Sequence, residues 1–170
     1  VDVSGVETST PSVSKKKHTY RGIIYRSGFE KKIAIFLTKR KVKFSYEKNA
    51  VTYYLPIKGK CISCGSNLVS TAHRYTPDFE IKSKPGKKNR TVQNAQKNVI
   101  IEAKGRFTSR DRTKMTRVVK DNPDLRIHML FMRDNWLTSS KTNRYSDWAK
   151  TLGIPYHVSS SGEVPKEWLR

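Results

Sequence analysis

Acid is what this chain has least of. Its 170 residues hold 14 Asp and Glu against 35 Lys and Arg, a formal charge of +21. Such an excess strains a compact monomer unless a polyanion normally shares its surface, so nucleic acid is the expected partner. Cysteine is nearly missing: Cys61 and Cys64 are too few for the disulfide framework of a small secreted domain, and an intracellular, reducing compartment is expected. Apolar residues make up only 35% of the chain and never run for about 18 positions, which excludes a membrane-spanning helix, and no membrane partner is expected. The length suits one domain with a real core, not two.

Residues 1–21 show no hydrophobic period and carry Lys15, Lys16 and Lys17; they are read as a flexible basic arm before a single domain over 22–170. Ser27 can cap a helix whose Phe29, Ile33, Phe36 and Leu37 recur at helical spacing. Val42, Phe44 and Tyr46, then Val51, Tyr53 and Leu55, alternate with polar residues as strands with one buried face do. Two inserted loops are expected, near 57–74, with its glycines and both cysteines, and near 82–98, with six Lys/Arg and no acid. Between them residues 75–81 read as a strand interrupted by Pro77. Val99, Ile100 and Ile101 open a buried strand that runs to Lys104. A helix from Ser109 to Lys120, a strand over 127–131 and a helix around Tyr145, Trp148 and Ala149 that stops at Gly153 complete the order. Trp136, Trp148 and Trp168 are expected in the core. This succession predicts an α/β fold, a mixed sheet flanked by helices.

In a chain so short of acid, a carboxylate inside an apolar strand needs a reason. Asp78 follows Pro77, and Glu102 and Lys104 end the most apolar strand, where the period of two puts both on one face. If the two strands are neighbours, Asp78 and Glu102 converge, with the Ala103 carbonyl as a third oxygen. That is a donor set for a hard cation such as Mg²⁺, with Mn²⁺ as its expected substitute, and the ion suits phosphate-ester chemistry with Lys104 beside the attacking water. Glu102 with Lys104 alone would read more simply as an exposed ion pair worth about 0–1 kcal/mol; Asp78 after Pro77 tips the balance toward a site. Glu30 by spacing is part of a capping box with Ser27. The four histidines show no paired metal spacing.

Taken together, Arg26-Ser27-Gly28-Phe29-Glu30, Lys43-Phe44-Ser45-Tyr46-Glu47, Tyr75-Thr76-Pro77-Asp78-Phe79 and Glu102-Ala103-Lys104-Gly105 resemble the endonuclease I family of T7-like bacteriophages, Holliday-junction resolvases of the PD-(D/E)XK nuclease fold. Asn122-Pro123-Asp124-Leu125-Arg126-Ile127, Gly153-Ile154 and Val164-Pro165-Lys166-Glu167-Trp168 extend the resemblance, so it covers roughly 22–170. It implies that Glu30 joins Asp78, Glu102 and Lys104 in a metal-dependent site that cuts four-way junctions and other branched DNA, leaving 5′-phosphates. It also implies an intertwined homodimer in which the first helix and strand are exchanged, so that Glu30 enters the partner's site. Two sites on a two-fold axis suit paired cuts. The family's prototype has a further functional acid where this chain has Ser45; Glu47, on the same strand face, is the expected partial replacement.

Between Lys104 and Lys120 lie seven cations (Lys104, Arg106, Arg110, Arg112, Lys114, Arg117, Lys120) against Asp111 alone. A solvated helix face accounts for many such runs. Beside a metal site it predicts phosphate clamping, which gives affinity without reading bases. Cys61 and Cys64 supply half of a zinc site, complete only if two copies meet as a Cys₄ centre; a pair of plain thiols is the simpler reading. Two rivals remain at this point: a restriction, transposition or repair nuclease of the same fold, and a noncatalytic basic nucleic-acid-binding protein.

Overall fold

A computed structural model describes residues 18–57, 62–65, 69–82 and 98–169. It opens with a tight hairpin, β1 (His18–Tyr20) and β2 (Ile23–Tyr25), turning through Arg21 and Gly22. The stretch read as an arm up to residue 21 is thus paired from His18 onward, because Tyr20 and Tyr25 find apolar partners on the following helix and sheet. Lys15, Lys16 and Lys17 lie outside the described residues.

Helix α1 (Gly28–Lys39) starts at Ser27, whose Oγ accepts the Glu30 N–H, and buries Phe29, Ile33 and Leu37 at the predicted spacing; Phe36 is half-buried, and Ala34 joins the buried face. Burying a Phe, Ile or Leu side chain in this way contributes about 1.5–3 kcal/mol. Val42 is not in a strand: its N–H closes the helix end on the Leu37 carbonyl. Then follow β3 (Phe44–Tyr46), β4 (Val51–Ile57), β5 (Val69–Tyr75), β6 (Phe79–Ile81), β7 (Val99–Lys104), α2 (Ser109–Asp121), β8 (Arg126–Phe131), α3 (Tyr145–Thr151) and β9 (Tyr156–Val158), with a 3₁₀ turn at Lys166–Leu169.

The main sheet runs β3-β6-β7-β8-β9. Its first three strands are antiparallel and its last three parallel, so it is mixed, as predicted. Parallel neighbours need a crossover, and α2 and α3 provide them. Val99, Ile101 and Ala103 pack with α1 on one face, while Ile100 turns to the other with Ile127, Met129 and Phe131 beneath α2 and α3. Both faces of β7 are covered, which explains its unbroken apolar start. Gly162, at φ +80°, lets the C-terminal segment touch α1; a Cβ there would come 2.8 Å from the Ile33 nitrogen.

Two further expectations are corrected. The loop assigned to 57–74 is strand from Val69 onward: β5 pairs with β4 from Val51↔Tyr75 to Ile57↔Val69. Residues 70–74 are all exposed, so no apolar alternation announces a strand held by backbone pairing. The ribbon docks on α2, where Asp121 Oδ2 accepts the Tyr54 N–H at 2.7 Å and Asn122 Nδ2 donates to the Thr52 carbonyl at 2.9 Å. Trp136 is not core but 39% exposed, its ring covered by the Arg144 guanidinium at 3.9 Å. Strand β9 was not anticipated. Of the second loop, residues 83–97 lie outside the described residues. Among the described residues, no helix is long and apolar enough to cross a membrane.

Candidate active site

The register of the sheet assembles the acids. Phe79 faces Ile101 across β6 and β7, so Asp78, one residue before β6, falls opposite Glu102. Asp78 Oδ2 accepts the Ala103 N–H at 2.8 Å. A strand residue's N–H and C=O leave on the same edge, so the Ala103 carbonyl also opens toward Asp78. Glu102, 1% exposed, receives Lys104 Nζ on Oε1 at 2.8 Å and the Tyr75 hydroxyl on Oε2 at 2.6 Å.

Glu30 comes from the first turn of α1 and reaches the same cleft. Its carboxylate accepts from Ser27 Oγ at 2.8 Å, from the Tyr46 hydroxyl at 2.5 Å and from the Arg26 N–H at 3.2 Å. The cap read from the spacing is present as the Glu30 N–H bond to Ser27 Oγ, but the reciprocal contact goes to Arg26, one residue early. Glu30 therefore serves the helix start and the cleft together. That cleft, about 450 Å³, is lined by Arg26, Glu30, Asp78, Ala103, Lys104 and Arg106 of one chain. The single chain gathers its own Glu30 with its own Asp78 and Lys104.

Burial, then the neighbouring Glu102 charge, pushes the Asp78 carboxyl well above the usual range. For Lys104 burial works to lower the pKa, but Glu102 and Asp78 outweigh it and hold the ammonium above its ordinary value. Burial, reinforced by Glu102, raises Tyr75 and keeps its hydroxyl a donor. Glu47 is raised by burial, with Arg26 Nε at 2.7 Å working against the shift and Glu30 and Glu102 adding to it. Two buried carboxylates thus lie opposite each other with one ammonium, paired to Glu102, to offset them, an arrangement a divalent cation would relieve. Among the described residues no three His, Cys, Asp or Glu side chains close into a finished metal cluster. Mg²⁺ does not require one: it takes one or two carboxylates and keeps several waters. Asp78, Glu102 and the Ala103 carbonyl fit that demand.

The predicted DNA-contacting residues divide. Arg106 borders the cleft, and Arg110 and Lys114 border a groove of about 440 Å³ between α2 and the β4–β5 ribbon. Lys114 Nζ also lies 5.5 Å over the Tyr75 ring. Arg112 spends one N–H on the Phe107 carbonyl at 3.1 Å, while Arg117 is half-buried and Lys120 exposed. Ser45 and Glu47 do not share a face: Glu47 has φ +47° and leaves the strand toward Arg26, whereas Ser45 meets Glu80 Oε2 at 3.4 Å. Cys64 is exposed and Cys61 lies outside the described residues, so the zinc expectation takes no part in the chemistry below. The sequence reading missed Tyr46 and Tyr75 as holders of Glu30 and Glu102. Tyr46 reads as one more apolar position of a strand; for Tyr75 the only signal is its place three residues before Asp78.

Buried acids with a lysine on one of them, beside a cleft at the end of a central strand, are groups suited to hydrolysis of an anionic substrate. The model of the phage endonuclease I family matches residues 12–170, and the chain belongs to that family. It is 25% identical to Endonuclease I of Escherichia phage T7 over 147 residues, covering 86% of this chain and 78% of that protein. It is 28% identical to Endodeoxyribonuclease 1 of Enterobacteria phage T3 over 136 residues, covering 79% and 71% respectively.

Proposed function

We propose that this protein is a DNA endonuclease that resolves four-way junctions and other branched DNA by divalent-metal-dependent hydrolysis, leaving 5′-phosphates. The observation that carries the reading is the meeting of Glu30 from α1, Asp78 just before β6 and Lys104 from β7 in one cleft, with Glu102 buried behind Lys104 and paired to it. Asp78, Glu102 and the Ala103 carbonyl would hold Mg²⁺ or Mn²⁺. When bound, such an ion neutralises phosphate charge and lowers the pKa of water. Lys104, fixed on Glu102 and protonated, orients the attacking water and offsets charge on the phosphorus oxygens. Tyr75 and Tyr46 donate to the carboxylates and set their rotamers. Arg106, Arg110, Arg112, Lys114, Arg117 and Lys120 would hold phosphates and so recognise shape; Lys15, Lys16 and Lys17 would add nonspecific affinity.

Paired cuts call for a homodimer. Exchange of the first hairpin, α1 and β3 would preserve every contact of α1 while moving it between chains, with the crossing at residues 47–50. The test is incision of a synthetic four-way junction and a linear duplex of equal length, with Mg²⁺ and with chelator. Mg²⁺-dependent cutting of the junction over the duplex is expected. Equal cutting of both would favour a nuclease of the same fold without junction preference; binding with no nick in Mg²⁺ or Mn²⁺ would leave a noncatalytic DNA-binding protein.

A further inference from the structure

The catalytic cleft is not the larger concavity. At the other end of α1, between the β1–β2 turn, the helix C-terminus and the edge strand β3, lies an open groove of about 980 Å³. Arg21, Lys39, Lys41, Lys43, Lys48 and Lys82 line it, and none of the six has an ion-pair partner among the described residues. Its one carboxylate, Glu80, is already occupied, accepting from Asn98 Nδ2 at 2.7 Å, Ser45 Oγ at 3.4 Å and Asn49 Nδ2. The negative end of the helix dipole explains cations at Lys39 and Lys41 in part. It does not explain the backbone.

Arg21 has φ +49° and Lys41 φ +56°. Arg21 opens a two-residue hairpin turn completed by Gly22 at φ +76°, where Asn would be the easy choice. Lys41 follows the helix C-cap, Arg40, at the place glycine normally fills. Folding gains nothing from a long cation in the left-handed region. Of the four non-glycine residues with positive φ among the described residues, these two line the same groove.

We propose that this groove binds the sugar–phosphate backbone of a duplex DNA arm, away from the point of incision; the proposal rests on DNA being the substrate. Helix α1, 12 residues and so roughly 18 Å long, has the cleft at its N-terminal end and the groove at its C-terminal end. That length is on the order of five base pairs at about 3.4 Å each, within reach of one arm. Backbone contact there adds affinity and orientation, not chemistry.

The test uses the full chain with Arg21→Asn, Lys41→Gly and both together, and an uncut synthetic four-way junction in chelator over a salt series. Melting temperature and single-turnover cleavage with Mg²⁺ at saturating protein are measured alongside. Each substitution is expected to raise the melting temperature, reduce the slope of log affinity against log salt by about one (about two for the pair) and leave the saturated cleavage rate unchanged. Lys150→Ala, on α3 across the sheet, should leave the slope alone. Unchanged slopes in the Arg21 and Lys41 variants, with the junction still cut, would overturn the groove alone, as would an equal change in Lys150→Ala. An unmodified protein that neither binds nor cuts DNA would overturn the functional reading and the groove with it.

Discussion

The two ends of helix α1 treat charge in opposite ways. At its N-terminal end Glu30 is held by Ser27, Tyr46 and Arg26, and across the cleft Glu102 is held by Tyr75 and Lys104 and Asp78 by Ala103. At its C-terminal end Arg21, Lys39, Lys41 and Lys43 carry no ion pair among the described residues. Under the proposed function the contrast separates two demands. Hydrolysis needs groups fixed to within about half an ångström, so carboxylates are buried and tied at a cost in electrostatic strain. Holding a polyanion needs charge near phosphates and little more, so the cations stay exposed and untied.

The largest expected effect lies at the tied end. Glu102→Gln keeps the shape but removes the charge, and single-turnover cleavage should fall at least about a hundredfold while junction binding in chelator stays within a few-fold. Tyr75→Phe removes only the hydroxyl that positions Glu102. A shift of the Mg²⁺ concentration dependence by about 10–100-fold is expected, with the rate recovering at high Mg²⁺. A rate that falls without that shift would mean Tyr75 acts elsewhere.

Asp78→Asn tests the strain itself. Burial and Glu102 oppose ionisation of Asp78, so the amide should raise the metal-free melting temperature by a few degrees and abolish cleavage. A lower melting temperature would show that the site is not strained without metal. The smallest effect belongs to neither end. His128, buried beneath Trp168, is pulled down to about 4 by burial and by Arg126. Its folded pKa lies below the unfolded value of 6.5, so the unfolded chain takes the proton first. Its contribution to stability is therefore full above about 6.5 and declines as the pH drops toward about 4. Denaturant midpoints of His128→Phe across that window should show a shallower decline.

Much of this was legible in the residues. Phe29, Ile33 and Leu37 mark α1 by period, and Val99, Ile100 and Ile101 mark the central strand by composition, because buried apolar faces impose their spacing directly. Asp78, Glu102 and Lys104 stood out because acids are scarce and strands make the end of β7 predictable. What stayed hidden depends on pairing rather than pattern. The β5 strand is polar and exposed over residues 70–74, so only its register with β4 reveals it. Tyr46 looks like any core aromatic until its hydroxyl is found on Glu30. The left-handed backbones of Arg21 and Lys41 leave no trace in residue type, since the residues themselves argue against such a conformation.

The most direct test of the central claim is a titration of Mn²⁺ into the unmodified protein, Asp78→Asn and Glu102→Gln, with free Mn²⁺ followed by electron paramagnetic resonance. Saturable binding that either substitution abolishes is the predicted result. Binding that survives in both variants would contradict the claim that these two carboxylates hold the catalytic metal.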